Sequence, residues 1–195
     1  MKYFIQNNSI VKVTVFGGSQ PKPDSSAYIE AYRLGKLLGR QGFVILNGGY
    51  MGTMEAVSKG AHDAGAKVIG ITCDQIEDWR PIAPNPYLTE EKRFPTLRER
   101  LYALIDLCDI AIALPGGIGT LAEIAAMWTQ IDIQAIPPKP LILIGKGWQD
   151  IIEQFFDVMK DYVTQSQKDE LIFAKDIDEA VSYLKDLTFI PHDSD

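Results

Sequence analysis

Short apolar runs alternate along this chain with longer stretches in which apolar residues recur every three or four positions. The short runs, at 11–16, 43–46, 67–71, 110–114, 141–144 and 171–174, have the length and branched side chains of strands buried on both faces. The longer stretches predict helices. The first starts at Asp24 or Ser25, either of which can cap it, and runs to about Arg40, with Ile29, Tyr32, Leu34, Leu37 and Leu38 on its apolar side. Others are expected at about 53–64, 97–107, 121–130 and 148–161, and a last one at 177–187 behind the cap residue Asp176. Only 73–96 breaks the rhythm. Its four prolines (Pro81, Pro84, Pro86 and Pro95) and mixed charge predict a long loop, of the kind that serves as a lid or binding loop.

Strand, turn and helix in regular succession predict an α/β fold: a single Rossmann-like, doubly wound, mostly parallel sheet with helices on both faces. No repeat, low-complexity tract or linker divides the chain, so residues 1–195 read as one domain with loose ends at 1–10 and 188–195. Three of the strand-to-helix turns are rich in glycine. They are Gly17-Gly18-Ser19-Gln20 after the first strand, Asn47-Gly48-Gly49-Tyr50-Met51-Gly52 after the second, and Pro115-Gly116-Gly117-Ile118-Gly119-Thr120 after the fourth. Open parallel sheets bind their ligands at that edge.

Composition narrows the partners. The 195 residues are 46% hydrophobic and 23% charged, enough for one sizeable core. A net charge of −7 argues against nucleic acid as the main partner, though not against a local anion site made of backbone amides. Cys73 and Cys108 have no metal spacing and read as small buried residues in a reducing compartment, so the cytoplasm is expected. No apolar stretch approaches the length of a membrane span, and 1–9 carries no signal-peptide pattern.

The turn after the fourth strand holds the most specific chemistry. Glycines there let a ligand approach the backbone closely. The helix N-terminus adds unpaired N–H groups and a positive dipole end, which favour an anion such as phosphate. Glu123 lies about one turn inside the expected helix, so its carboxylate would stand just beyond that phosphate, placed for chemistry on the attached sugar. The same residues, Thr120-Leu121-Ala122-Glu123, also fit a capping box, a purely structural role.

Rival chemistries lack their residues. A dinucleotide fold needs G-x-G-x-x-G after the first strand and an acid after the second, where this chain has Gly17-Gly18-Ser19-Gln20 and Asn47-Gly48. A P-loop fails because Gly145-Lys146 is followed by Gly147-Trp148. Gly18-Ser19-Gln20 is no nucleophile elbow. His62 and His192 have no partner spacing for zinc or a triad, and none of Lys59, Lys67 and Lys146 is marked as a Schiff-base lysine.

Pro115-Gly116-Gly117-Ile118-Gly119-Thr120-Leu121-Ala122-Glu123 resembles the P-G-G-x-G-T-x-x-E signature of the LOG family, the cytokinin riboside 5′-monophosphate phosphoribohydrolases long mislabelled as lysine decarboxylases. Gly48-Gly49-Tyr50-Met51-Gly52-Thr53-Met54 resembles the family's G-G-G-x-x-G-L-M motif, with Asn47 in place of its first glycine, and Phe16-Gly17-Gly18-Ser19 resembles its first turn. The likeness covers roughly 11–160. It implies hydrolysis of an N-glycosidic bond in a nucleoside 5′-monophosphate, giving a free base (adenine or an N6-substituted adenine) and ribose 5-phosphate. Glu123 would act with an arginine on the preceding helix; an ungapped count favours Arg100 over Arg98. Phosphate would rest on Gly116, Gly117, Gly119 and Thr120, with Ser19, Gly48, Gly49 and Gly52 assisting, and Thr129 would be a further substrate contact. A family contact glutamate falls at Glu77 or Glu90, and 73–96 would cover the base. The resemblance implies no metal and no cofactor. It also implies a homodimer, for which the helices around Tyr102 and Trp128 offer an apolar face. The molybdenum-cofactor carriers resemble the chain in the same glycine motifs, so the alternative is a carrier that binds a phosphorylated ligand without turning it over.

Overall fold

A computed structural model describes residues 10–188. Seven strands form one sheet in the order β4-β3-β2-β1-β5-β6-β7. They are β1 (Lys12–Phe16), β2 (Val44–Asn47), β3 (Val68–Cys73), β4 (Glu90–Phe94), β5 (Ile110–Ala113), β6 (Leu141–Ile144) and β7 (Leu171–Ala174). Every adjacent pair is parallel. The helices are α1 (Ser26–Arg40), α2 (Thr53–Asp63), α3 (Asp74–Trp79), α4 (Leu97–Asp106), α5 (Ile118–Asp132), α6 (Lys146–Val158), α7 (Gln165–Lys168) and α8 (Ile177–Thr188).

The central strands are mostly apolar because both faces are covered, and the buried Thr14 of β1 is satisfied by donating to Leu104 O at 2.7 Å. Alternate residues sort to two cores. Val13, Val15, Ile45, Ile110, Ile112, Ile142 and Ile144 pack under α1, α2 and α8. Phe16, Leu46, Ile69, Ile71, Ala111, Ala113, Leu141 and Leu143 pack under α4, α5 and α6. Ser25 caps α1 by accepting the Tyr28 N–H, and Asp176 caps α8 by accepting the Glu179 N–H at 2.9 Å. Strand order reverses between β1 and β5, which opens a crevice at their C-terminal ends.

The segment 73–96 is not a loop throughout. It holds α3 and the edge strand β4, whose residues pair in register from Ile69 with Glu90 to Cys73 with Phe94. Strand β4 can carry charge because Glu91 and Arg93 are exposed and Glu90 and Lys92 only half-buried at the sheet's margin. Glu90 accordingly pairs with Lys67 at 2.6 Å, and Arg93 with Asp74 and Glu77. Helix α7 is likewise absent from the sequence expectation, and α5 begins three residues before the expected 121. Of the ends expected to be loose, 1–9 and 189–195 lie outside the described residues, as does His192. No helix among the described residues is long and apolar enough to cross a membrane.

Candidate functional site

Three glycine turns meet at the crevice. Thr53, the first residue of α2, donates both its amide and its hydroxyl to Gly18 O, at 2.9 and 3.0 Å. Gly52 has φ +74°, and a β-carbon there would lie 2.5 Å from Gly18 O and 2.6 Å from Ser19 Cα, so only glycine lets the first and second turns touch. Gly18 in turn faces the Gly116 backbone.

The third turn departs from the expectation in one respect. Gly117 is the N-cap of α5, and the first helical bond runs from the Leu121 N–H to Gly117 O at 3.0 Å. The amides of Ile118, Gly119 and Thr120 therefore precede the hydrogen-bonded ladder and form the anion-facing end. Thr120 lies inside the helix, buried, with its side chain against Gly116, so the capping box read from Thr120 and Glu123 is not formed. True capping boxes stand elsewhere, at Thr96 with Glu99 and at Thr164 with Gln167. Beyond the neighbouring residues and the helix's own backbone, nothing lies within 4 Å of where a β-carbon on Gly117 or Gly119 would sit, so that side of the turn is open.

Freed from capping, Glu123 turns to Arg100. Its Oε1 lies 3.7 Å from Arg100 Nη1, with the two side chains 12% and 7% exposed. Burial pushes the Glu123 carboxyl up to about 7, and the Arg100 charge pulls it back only in part. Arg100 donates its Nε to Ile71 O at 2.8 Å and Nη2 to Gly48 O at 3.2 Å. The Tyr50 ring packs beside its guanidinium, 5.9 Å from centroid to Cζ. Arg98, the competing arginine, is exposed.

Other expected contacts have different surroundings. Gly48 O is occupied by Arg100, the Gly49 amide donates to Asn47 Oδ1 at 2.8 Å, and Gly49 O accepts from the Asn85 amide and side chain. The Gly49 amide is thus engaged inside its own turn, and the Gly48 and Gly49 carbonyls hold Arg100 and Asn85. Thr129 lines an outer groove of about 230 Å³ with Trp128, Asp132, Phe155 and Gln167. Six residues along α5 from Glu123, it stands about 9 Å further down the axis and about 120° around it. Glu90 is held by Lys67 and Lys92 at the sheet edge, whereas Glu77 reaches the Tyr50 hydroxyl at 3.2 Å. His62 packs beside Tyr87 on the surface.

Sequence reading missed three supports. Asn47, where the motif has glycine, ties its turn to Ser58 and to the Gly49 amide. Asn85 donates to Gly49 O and Tyr50 O. Tyr50 is buried behind Arg100. Asn47 was visible as a departure from a motif; Asn85 and Tyr50 had no periodicity to mark them.

Comparison with known proteins places the chain among relatives. The family model described as possible lysine decarboxylase matches residues 54–184. The chain is 30% identical over 181 residues to the cytokinin riboside 5′-monophosphate phosphoribohydrolase LOG of Oryza sativa subsp. japonica, covering 90% of this chain and 73% of that protein. It is 25% identical over 179 residues to the cytokinin riboside 5′-monophosphate phosphoribohydrolase of Rhodococcoides fascians, covering 89% and 88%. The X-ray structure of TM1055 superposes with TM-score 0.71 at 30% identity, over 91% of this chain and 99% of that one. The molybdenum cofactor binding protein of Rippkaea orientalis shares the fold, with TM-score 0.72 at 24% identity over 92% and 98%. The chain therefore belongs to the LOG family, the family to which the possible lysine decarboxylase model and the phosphoribohydrolase relatives both point.

Proposed function

We propose that the chain is a nucleoside 5′-monophosphate phosphoribohydrolase, built as one nucleotide-binding domain. The observation that carries this reading is the buried Arg100–Glu123 pair standing behind an open amide turn. Phosphate would sit on the amides of Ile118, Gly119 and Thr120 and the Thr120 hydroxyl, with the Gly116–Gly117 backbone and Ser19 lining the turn. The ribose would then lie over Glu123. Water adds to the anomeric carbon as the glycosidic bond to the base breaks, and the base departs with a proton. Positive charge grows on the sugar as that bond stretches. An ionised Glu123 stabilises it and orients the water; one such fixed group is typically worth about 3–4 kcal/mol. Arg100 favours the ionised form of Glu123 and holds the ribose. The base is adenine or an N6-substituted adenine, by likeness to the named relatives.

The same reading includes a homodimer. Exposed apolar side chains crowd α5 and α6, among them Ile118, Leu121, Ile151, Phe155 and Val158, with Tyr102 on α4. Trp128 is less available, since it stacks on Phe156 and donates to Gln167 O. Light scattering on the purified chain would give twice the chain mass. Two free buried cysteines suit the cytoplasm.

The deciding experiment mixes the protein with a panel of nucleoside monophosphates. Free base and ribose 5-phosphate should appear, and should vanish in Glu123→Gln while nucleotide binding persists. Tight binding of one phosphorylated ligand with no base released from any would make the chain a carrier instead.

A further inference from the structure

We propose that Tyr50 is a positioning residue, whose ring holds the Arg100 guanidinium in the orientation that meets Glu123. The kinetic part of this inference rests on the phosphoribohydrolase reading; the structural part does not.

Arg100 has a long, flexible side chain, and two hydrogen bonds to carbonyls fix only part of its fork. The Ile71 and Gly48 carbonyls take Nε and Nη2. The guanidinium carbon lies over the Tyr50 ring, 5.9 Å from its centroid, and Tyr50 is 2% exposed. That ring is itself anchored. Its hydroxyl accepts the Cys73 N–H at 2.9 Å, and its one proton has two acceptors, Cys73 O at 3.1 Å and Glu77 Oε1 at 3.2 Å. Burial, reinforced by Glu77, pushes the phenol up to about 12, so it stays neutral beside the arginine.

The anchoring continues outward. Glu77 pairs with Arg93 Nη1 at 2.8 Å, and Arg93 Nε pairs with Asp74. Asn85 holds the turn that carries Tyr50 through the Gly49 and Tyr50 carbonyls. A line of contacts thus runs Arg93–Glu77–Tyr50–Arg100–Glu123, from the edge strand to the carboxylate. Arg100 on α4 is the charged group that acts on Glu123; Glu77, Asp74 and Arg93 lie along the line on the other side of the Tyr50 ring. The segment 73–94 thus braces the hydroxyl end of Tyr50, while burial of the ring itself keeps it under Arg100.

Two substitutions separate the ring from its hydroxyl. Tyr50→Phe keeps the ring under Arg100, and kcat should stay within about threefold of wild type. Tyr50→Leu removes it, and kcat should fall about tenfold or more while KM changes less than about threefold, because the amide turn is untouched. The Glu123 carboxyl, followed by NMR, should titrate at higher pH in Tyr50→Leu and be unchanged in Tyr50→Phe. Should Tyr50→Leu fail to fold, Tyr50→Met fills more of the same space without a ring and carries the same expectation. Equal Glu123 midpoints in wild type and the ringless variant overturn the proposal. So does a Tyr50→Phe as impaired as Tyr50→Leu. If the wild type releases no base from any nucleotide, the hydrolase reading fails, and the carboxyl titration alone decides for or against Tyr50.

Discussion

Gly48 and Arg100 fit together with no room between them. Arg100 Nη2 donates to Gly48 O at 3.2 Å and occupies the space where a β-carbon on Gly48 would stand, with Met54 Sδ 2.5 Å from the same point. The glycine is therefore there for the arginine: the turn has no side chain at 48 so that a buried guanidinium from α4 can reach the end of β2. A motif that reads as a phosphate turn builds, at this residue, the seat of a cation.

Gly48→Ala tests that assignment. The backbone at Gly48 is not among the positive-φ glycines, so the added methyl acts through space alone. Arg100 and Met54 must both move, at a cost of about 1–2 kcal/mol of stability. Base release should fall much further than thermal unfolding does, because the displaced group is Arg100. Unchanged turnover in a folded Gly48→Ala would show that Arg100 is not needed in that seat.

Gly119→Ala makes the opposite expectation. Apart from its chain neighbours and the backbone of its own helix, nothing lies within 4 Å of the new methyl, and the residue is in the first turn of α5. Alanine in a helix is favoured over glycine, so stability should hold or rise by up to about 1 kcal/mol. The methyl would project into the open side of the turn, where phosphate is proposed to bind. Calorimetric titration with a nucleoside monophosphate should show affinity reduced about tenfold or more, the equivalent of about 1.4 kcal/mol. Undiminished affinity would move the phosphate elsewhere.

Asn85→Ala should loosen the second glycine turn. Asn85 Nδ2 donates to Gly49 O at 3.0 Å and to Tyr50 O at 3.1 Å, and the side chain is buried. Its removal leaves polar groups short of partners, at a cost of about 1–3 kcal/mol in urea unfolding. A variant as stable as wild type would mean that the Asn85 amide, which donates to Gly49 O at 2.8 Å, holds the turn unaided.

How much of this was legible depended on where each residue's environment comes from. The six strands other than β4 were legible because burial leaves mostly apolar runs, unbroken in Ile110–Ala113 and Leu141–Ile144. Strand β4 was not, because Glu90, Glu91, Lys92 and Arg93 bind their neighbour through the backbone and carry their charges at the sheet's margin. Glu123 and Arg100 were found by motif and by count, and they meet. What the sequence withheld was whether Thr120 and Glu123 form a capping box. That turned on the start of α5 at Ile118 rather than Leu121, a shift that moves Thr120 from cap to interior. Thr129 shows the converse: a correct position on a helix says nothing of the direction in which the residue points, and Thr129 points to the outer groove. Asn85 sits in a proline-rich stretch without period, and the two carbonyls it holds, Gly49 O and Tyr50 O, lie more than thirty residues away.

Glu123 should also leave a mark on stability against pH. Its carboxyl titrates at 4.5 ordinarily and at about 7 in the folded chain, because burial outweighs the attraction of Arg100. Below about pH 4.5 both folded and unfolded chains hold the proton, and the group is neutral to folding. Between 4.5 and 7 the unfolded chain has lost a proton that the folded chain keeps, so rising pH favours unfolding. Above about 7 both are ionised, and the full cost of the buried charge is present. The gap converts to about 3 kcal/mol at most. Urea unfolding of wild type and Glu123→Gln, at pH 5 and at pH 8, isolates the effect, since all other titrating groups are common to the two. The stability of Glu123→Gln relative to wild type should rise by about 2–3 kcal/mol between the two conditions. A difference that stays flat would mean that Glu123 is already ionised at pH 5, held so by Arg100 more strongly than burial opposes it. In that case the carboxylate costs the fold little. The rising difference instead marks a charge that folding disfavours, kept beside an open amide turn where the proposed reaction would use it to meet a developing positive charge on a sugar.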